Sequence, residues 1–217
     1  MTRDDFDLTE ADIDVLSNLF QRDLEPDRWL PAGQRYRSRA YQCFDLSLPE
    51  LRCTPIAAPP PYLQSADVNP LAGGIERRFA AIPVEHPATS ITVRVASRLA
   101  RLLIDADILD PSAHPRCWVD AHYIRIDAPG DPCPEGPHRD GLLAGSAHLV
   151  RRNNITGGES ILYDTTGREA GRCVLAEPMD SFVFHDSEVL HFTEPIAAED
   201  AGVPGFRDAL LIGFRTA

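Results

Sequence analysis

A change of texture near Pro111 constrains the fold of this chain more than any other feature. Upstream, apolar residues recur at helical spacing; downstream, short apolar runs alternate with Gly, Pro, Asn and Asp. Thr9-Glu10-Ala11-Asp12 has the form of a capped helix start. Ile13, Leu16, Leu19 and Phe20 follow on one face, so a first helix is predicted to run to about Arg22, ahead of Pro26 and Pro31. Residues 36–48 have a strand pattern, 55–61 form a proline-rich connector that cannot be helical, and 69–78 read as a loop with special backbone geometry at Gly73 and Gly74. After His86-Pro87 an amphipathic helix is predicted, with Ile91, Val95, Leu99, Leu102 and Leu103 on the side that covers a sheet. Beyond Pro111 the candidate strands are 117–126, 142–151, 159–164, 181–185 and 207–214. Short strands at regular spacing, with helices ahead of them to pack outside, suggest an α+β but mainly β fold: an antiparallel barrel or jelly roll with its core in the second half.

At 217 residues the chain is sized for one well-buried domain. Residues 1–217 are therefore read as a single unit, in which 1–110 supply helices and supporting strands and 111–217 the barrel. No run approaches the length of a membrane span, and the N-terminus has neither the basic nor the apolar region of a secretory signal. No membrane association and a cytoplasmic location are the expectations. The five cysteines, Cys43, Cys53, Cys117, Cys133 and Cys173, are odd in number and contain no C-x-x-C pair, which argues against a disulfide framework or a zinc knuckle. A formal charge of -12 argues against nucleic acid, whose binding draws on a surplus of Lys and Arg.

The chemistry-bearing positions are His138-Arg139-Asp140, a distal histidine, and Gly205-Phe206-Arg207 opening an apolar strand. Two imidazoles and one carboxylate can occupy one face of an octahedral ferrous ion and leave three positions exchangeable. On an extended backbone His138 and Asp140 point the same way, while Arg139 points out. The third ligand must come from a distant strand, which leaves His191 or His185. A guanidinium at the rim of a barrel interior is costly without an anion, so Arg207 has the character of a fork for a small dicarboxylate, the alternative being a salt bridge to a nearby Asp or Glu. Asp120 and His122 share one face of the strand near 118–126. With Arg151, Arg152 and Asn154 ahead of Gly157-Gly158, they are candidates for a substrate pocket, with His122, Arg152 and Asn154 favoured for contact.

The order His-x-Asp, distal His, Gly-x-Arg resembles the iron(II)/2-oxoglutarate-dependent dioxygenases, and within them the small bacterial group that hydroxylates free aliphatic amino acids such as L-isoleucine. The similar stretches are 134–141, 152–160, 161–164, 191–196, 205–214 and, upstream, 69–77. The resemblance implies a double-stranded β-helix, with His138, Asp140 and His191 as iron ligands, Arg207 on the distal carboxylate of 2-oxoglutarate, and His185 in a structural role. Ala209 departs from the pattern, since many members carry Ser or Thr there; Tyr123, Thr193 and Tyr163 are the candidate replacement hydroxyls. Retention of Asp140 points to hydroxylation rather than halogenation. The implied cofactors are Fe(II), 2-oxoglutarate and O2, with ascorbate as a stimulant. The implied partner is a small-molecule amino-acid substrate; the oligomeric state is open, a homodimer included. A peptide substrate, another cupin-type metalloenzyme and a non-catalytic barrel are the alternatives.

Overall fold

The computed structural model describes residues 1–66, 68 and 73–217. Of the loop expected at 69–78, positions 69–72 lie outside the described residues, and Gly74 sits at φ +74° in a turn. A 3₁₀ turn (Arg3–Phe6) precedes helix α1 (Glu10–Arg22). The Thr9 hydroxyl accepts the Asp12 N–H at 3.2 Å while the Asp12 carboxylate accepts the Thr9 N–H at 2.8 Å, the reciprocal cap that the sequence predicts. Helix α2 (Pro87–Asp105) opens on a proline behind His86, whose Nδ1 accepts the Ala88 N–H at 3.1 Å.

The strands are β1 (Glu25–Pro26), β2 (Arg37–Ser47), β3 (Arg52–Pro55), β4 (Ala80–Ala81), β5 (Arg116–Asp127), β6 (Ala144–Asn153), β7 (Ile155–Gly157), β8 (Ser160–Asp164), β9 (Glu169–Cys173), β10 (Ser181–Phe184), β11 (Val189–Thr193), β12 (Ile196–Ala198) and β13 (Phe206–Thr216). The main sheet runs β1-β2-β5-β13-β6-β10, with β3 and β4 also on β2; smaller sheets run β11-β8-β9 and β12-β7. All pairings but β2 with β4 are antiparallel. This is the mainly β, double-stranded β-helix that the resemblance implied.

Alternation along the long strands divides labour between the two faces of the main sheet. Ala40, Phe44, Leu46, Val119, Ala121, Tyr123, Leu210, Ile212 and Phe214 pack with Leu16, Leu19 and Phe20 of α1 and with Ile91, Val95, Leu99 and Leu103 of α2. The core is thus shared by both halves of the chain, and the expectation that it lies in the second half is corrected: β2, from the first half, is registered residue for residue against β5. Leu102, predicted on the covering side, is 38% exposed, because it falls off the stripe that Leu99 and Leu103 define. Strands β1, β3, β4, β7, β9, β11 and β12 escape prediction; they are at most five residues long, and the residues of β9 are mostly exposed, so none carries a readable alternation. No helix among the described residues is long and apolar enough to cross a membrane.

Candidate functional site

The other face of the main sheet closes a cavity of about 320 Å³. One register explains most of its lining: Arg207, Ala209, Leu211 and Gly213 of β13 stand opposite Ile126, Ile124, His122 and Asp120 of β5, and Arg37 and Arg39 of β2 extend the first two rungs.

At the mouth, His138 and His191 form an isolated antiparallel bridge. The His138 N–H donates to the His191 carbonyl at 3.1 Å, and the His191 N–H donates back at 2.9 Å. Residues paired in this way send their side chains to the same face, which places the two rings 4.3 Å apart between centroids. Asp140, two residues on, joins them: its Oδ2 is 3.4 Å from His191 Nε2 and its Oδ1 4.0 Å from His138 Nε2. One ligand atom from each of His138, Asp140 and His191 lies within 4.8 Å of the others, the one grouping of its kind among the described residues. His185 is outside it, with its Nε2 at 3.2 Å from the Ser187 hydroxyl. His191 lies inside β11, so the third donor comes from a distant strand, as the sequence analysis required.

The supporting shell is where sequence reasoning was blind. Asp186 accepts from the N–H groups of Asp140, Gly141 and Leu142 at 3.1, 2.8 and 2.9 Å, and so pins the ligand-bearing turn. Gly141 makes that turn possible at φ +76°; a Cβ there would meet a Val68 methyl at 3.1 Å. Gln64 donates to Asp140 Oδ1 at 2.9 Å, and Arg77 donates to the Gln64 carbonyl. The His138 ring donates from Nδ1 to the Gly136 carbonyl at 2.8 Å, which leaves the Nε2 lone pair directed toward Asp140 and His191. Replacing Asp186 with alanine is therefore expected to lower metal affinity by roughly 10- to 100-fold with the fold retained, as measured by metal titration beside thermal melting. An unchanged affinity would show that the turn holds without it.

Burial alone would raise the Asp140 carboxyl, but hydrogen bonding and charge from His191, then His138 and Gln64, hold it well below the usual range. Burial alone would depress His191; the hydrogen bond and charge from Asp140 overcome it and raise the imidazole above its ordinary value. A metal must displace that proton, so affinity is expected to be full above the raised His191 value. Below it the affinity should fall about tenfold per pH unit for one released proton. Metal titrations at stepped pH check the slope.

Arg207 lines the same cavity, 5% exposed, and its Nη2 has no hydrogen-bond partner among the described residues. Burial pushes this guanidinium down to about 10. Gly158, at φ +73°, lies against it, with a virtual Cβ 3.6 Å from Arg207 Cδ. Of the hydroxyls considered as substitutes at Ala209, Thr193 lines the cavity beside Cys133 and shares a 3.2 Å contact with the Ser160 hydroxyl. Tyr123 instead faces α2, bonded to Thr92 and Gln42, and Tyr163 is not in the lining. Among the proposed substrate contacts, His122 lines the cavity, but Arg152 and Asn154 do not. Arg152 donates to the Leu175 carbonyl at 3.2 Å, and Asn154, at φ 47°, donates to the Val203 carbonyl at 2.7 Å.

The donor set, two imidazoles and a carboxylate, suits a ferrous ion, and Arg207, lining the same cavity with an unbonded Nη2 among the described residues, suits a carboxylate. The family described as 2OG-Fe dioxygenase matches residues 19–213. The crystal structure of a bsmA homolog from Methylobium petroleophilum PM1 is similar at 27% identity and TM-score 0.82, over 99% of this chain and 85% of that one. IDO from Bacillus thuringiensis shares the fold at 22% identity and TM-score 0.77, over 100% and 92%. The Fe(II)/(alpha)ketoglutarate-dependent dioxygenase TqaL does so at 17% and 0.67, over 96% and 76%. No curated protein sequence matches.

Proposed function

Because the chain belongs to the 2OG-Fe dioxygenase family, we propose that it hydroxylates an aliphatic C–H bond of a free L-amino acid or similarly small molecule, with succinate and CO2 as co-products. In this reading residues 1–217 act as one dioxygenase domain, His138, Asp140 and His191 hold the iron, and Arg207 takes the distal carboxylate of 2-oxoglutarate. When bound, iron and 2-oxoglutarate supply the activation of O2, one oxygen atom ending in succinate and the other in the product hydroxyl.

The chain's own residues supply position and exclusion. Asp186 and the Gly136 carbonyl orient the ligand side chains. Ile124, Ile126, Leu211, Phe182 and Phe184 give the cavity apolar walls against which an aliphatic group can lie and from which water is displaced. Glu135 lines the same space, with its carboxylate 3.6 Å from His138 Nε2, and is the acceptor offered to an ammonium group.

The observation that carries the reading is the enclosure of the donor triad and an unpartnered arginine in one small cavity. The test has two parts. Ferrous ion and 2-oxoglutarate are added anaerobically, and a visible charge-transfer band is expected; succinate release is then measured across the free L-amino acids with ascorbate present. Stimulation by none of them would reject the amino-acid substrate and keep the dioxygenase, whereas absence of the band would reject iron and 2-oxoglutarate at this site.

A further inference from the structure

A second cationic pole, away from Arg207, is built into the β2 and β5 wall of the cavity. Arg39, Arg77 and His122 are 7%, 6% and 8% exposed and all line the cavity. Arg39 Nη2 lies 2.8 Å from His122 Nδ1. A guanidinium can only donate, so Nδ1 is the acceptor and the ring proton is on Nε2. That Nε2–H, together with Arg39 Nε and Arg77 Nε, has no hydrogen-bond partner among the described residues. Three buried donors are thus left without a protein acceptor, a cost that native interiors offset with water or a ligand.

The surrounding anions are already committed. Asp27, whose side chain is fully buried, takes Arg37 at 2.7 Å and Arg39 at 3.4 Å. Asp120 takes Arg215 at 2.5 Å and the Tyr41 hydroxyl. The Arg77 guanidinium donates to the neutral Gln64 carbonyl. Aromatic rings back the two guanidiniums: the Phe79 centroid is 3.8 Å from Arg39 Cζ, and the Tyr62 centroid 5.1 Å from Arg77 Cζ. The rings satisfy guanidinium faces and leave N–H edges free. His122 stands four residues along β5 from Ile126, the rung of Arg207, a separation of about 13 Å at the usual strand rise.

We propose that Arg39, Arg77 and the Nε2–H of His122 form the seat for a carboxylate of the prime substrate, so that the enzyme accepts free acids and rejects their amides. The assignment rests on the reading above, in which Arg207 and the triad are occupied by the cosubstrate and iron. It gives the role expected of Arg152 and Asn154 to residues whose donors are free.

The test uses the full chain loaded with 2-oxoglutarate and Mn(II) under anaerobic conditions, titrated calorimetrically with the proteinogenic L-amino acids and their carboxamides. The best acid is expected to bind roughly 100-fold more tightly than its carboxamide, since an amide leaves a buried charged donor unpaired. In Arg39→Gln and in His122→Phe that ratio should collapse to about threefold or less, with Arg39→Lys intermediate and the affinity for 2-oxoglutarate within about twofold of wild type. The retained 2-oxoglutarate affinity also reports that each variant is folded. Equal binding of acid and amide, an unchanged ratio in both variants, or a loss of 2-oxoglutarate affinity in their place would overturn the seat. Failure of every acid to bind overturns it too, and succinate formed from iron and 2-oxoglutarate alone then shows whether the dioxygenase reading survives.

Discussion

Alanine at His138, Asp140 or His191 is expected to abolish turnover, a loss of at least about 4 kcal/mol of barrier lowering or roughly 10³-fold in rate. The argument is geometric. Among the described residues only His138, Asp140 and His191 offer ligand atoms mutually within 4.8 Å, so removal of one leaves a two-donor site. His185→Ala is the internal control: its ring contacts Ser187 rather than the triad, so metal content and turnover should persist while the melting temperature shifts. Metal content by elemental analysis, beside succinate formation, checks both. Iron lost from His185→Ala but kept by His191→Ala would invert the assignment.

Arg207→Ala should raise the KM for 2-oxoglutarate roughly 100-fold or more, the cost of leaving one partner of a buried charge pair alone, while the KM of the prime substrate changes far less. The guanidinium is 5% exposed and lies on the rung of Ile126 and Arg37, remote from His138 and His191 in the chain and bonded to neither. Its loss should therefore leave metal affinity near the wild-type value. Arg207→Lys should recover only part of the affinity, because an ammonium replaces the two-pronged fork with a point charge. Equal increases in both KM values would instead mean that the substitution deforms the cavity.

The motif residues were legible because their chemistry is rare at that spacing: His138, Asp140 and His191 converge, and Arg207 enters the cavity. What was illegible is ordinary in type and distant in sequence. Gln64 reaches Asp140 across 76 positions and Asp186 reaches it across 46, and a single Gln or Asp in a loop carries no local signal of either contact. Arg39 is legible only in part: Arg37 and Arg39 stand two apart on a strand and so share one face, but with Ser38 between them the local pattern does not show that this face is buried. Arg152 was legible as a cation but not in direction. It stands opposite Arg207 next to a register shift at Asp208 and Ala209, where a second guanidinium facing inward would meet like charge, and its side chain goes to backbone carbonyls instead.

The two-faced main sheet sets the terms on which this scaffold can diversify. On β5, Val119, Ala121 and Tyr123 hold the helices, whereas His122 and Ile124 meet the cavity, as do Asp120, which also pairs with Arg215, and Ile126, which also packs on Ile155 and Ile196; the alternate positions thus carry the lining without touching the helical core. Lineages that share these helices can accordingly exchange one nutrient or metabolite for another by editing alternate positions, and relatives with unchanged hydrophobic interiors should differ most at those sites.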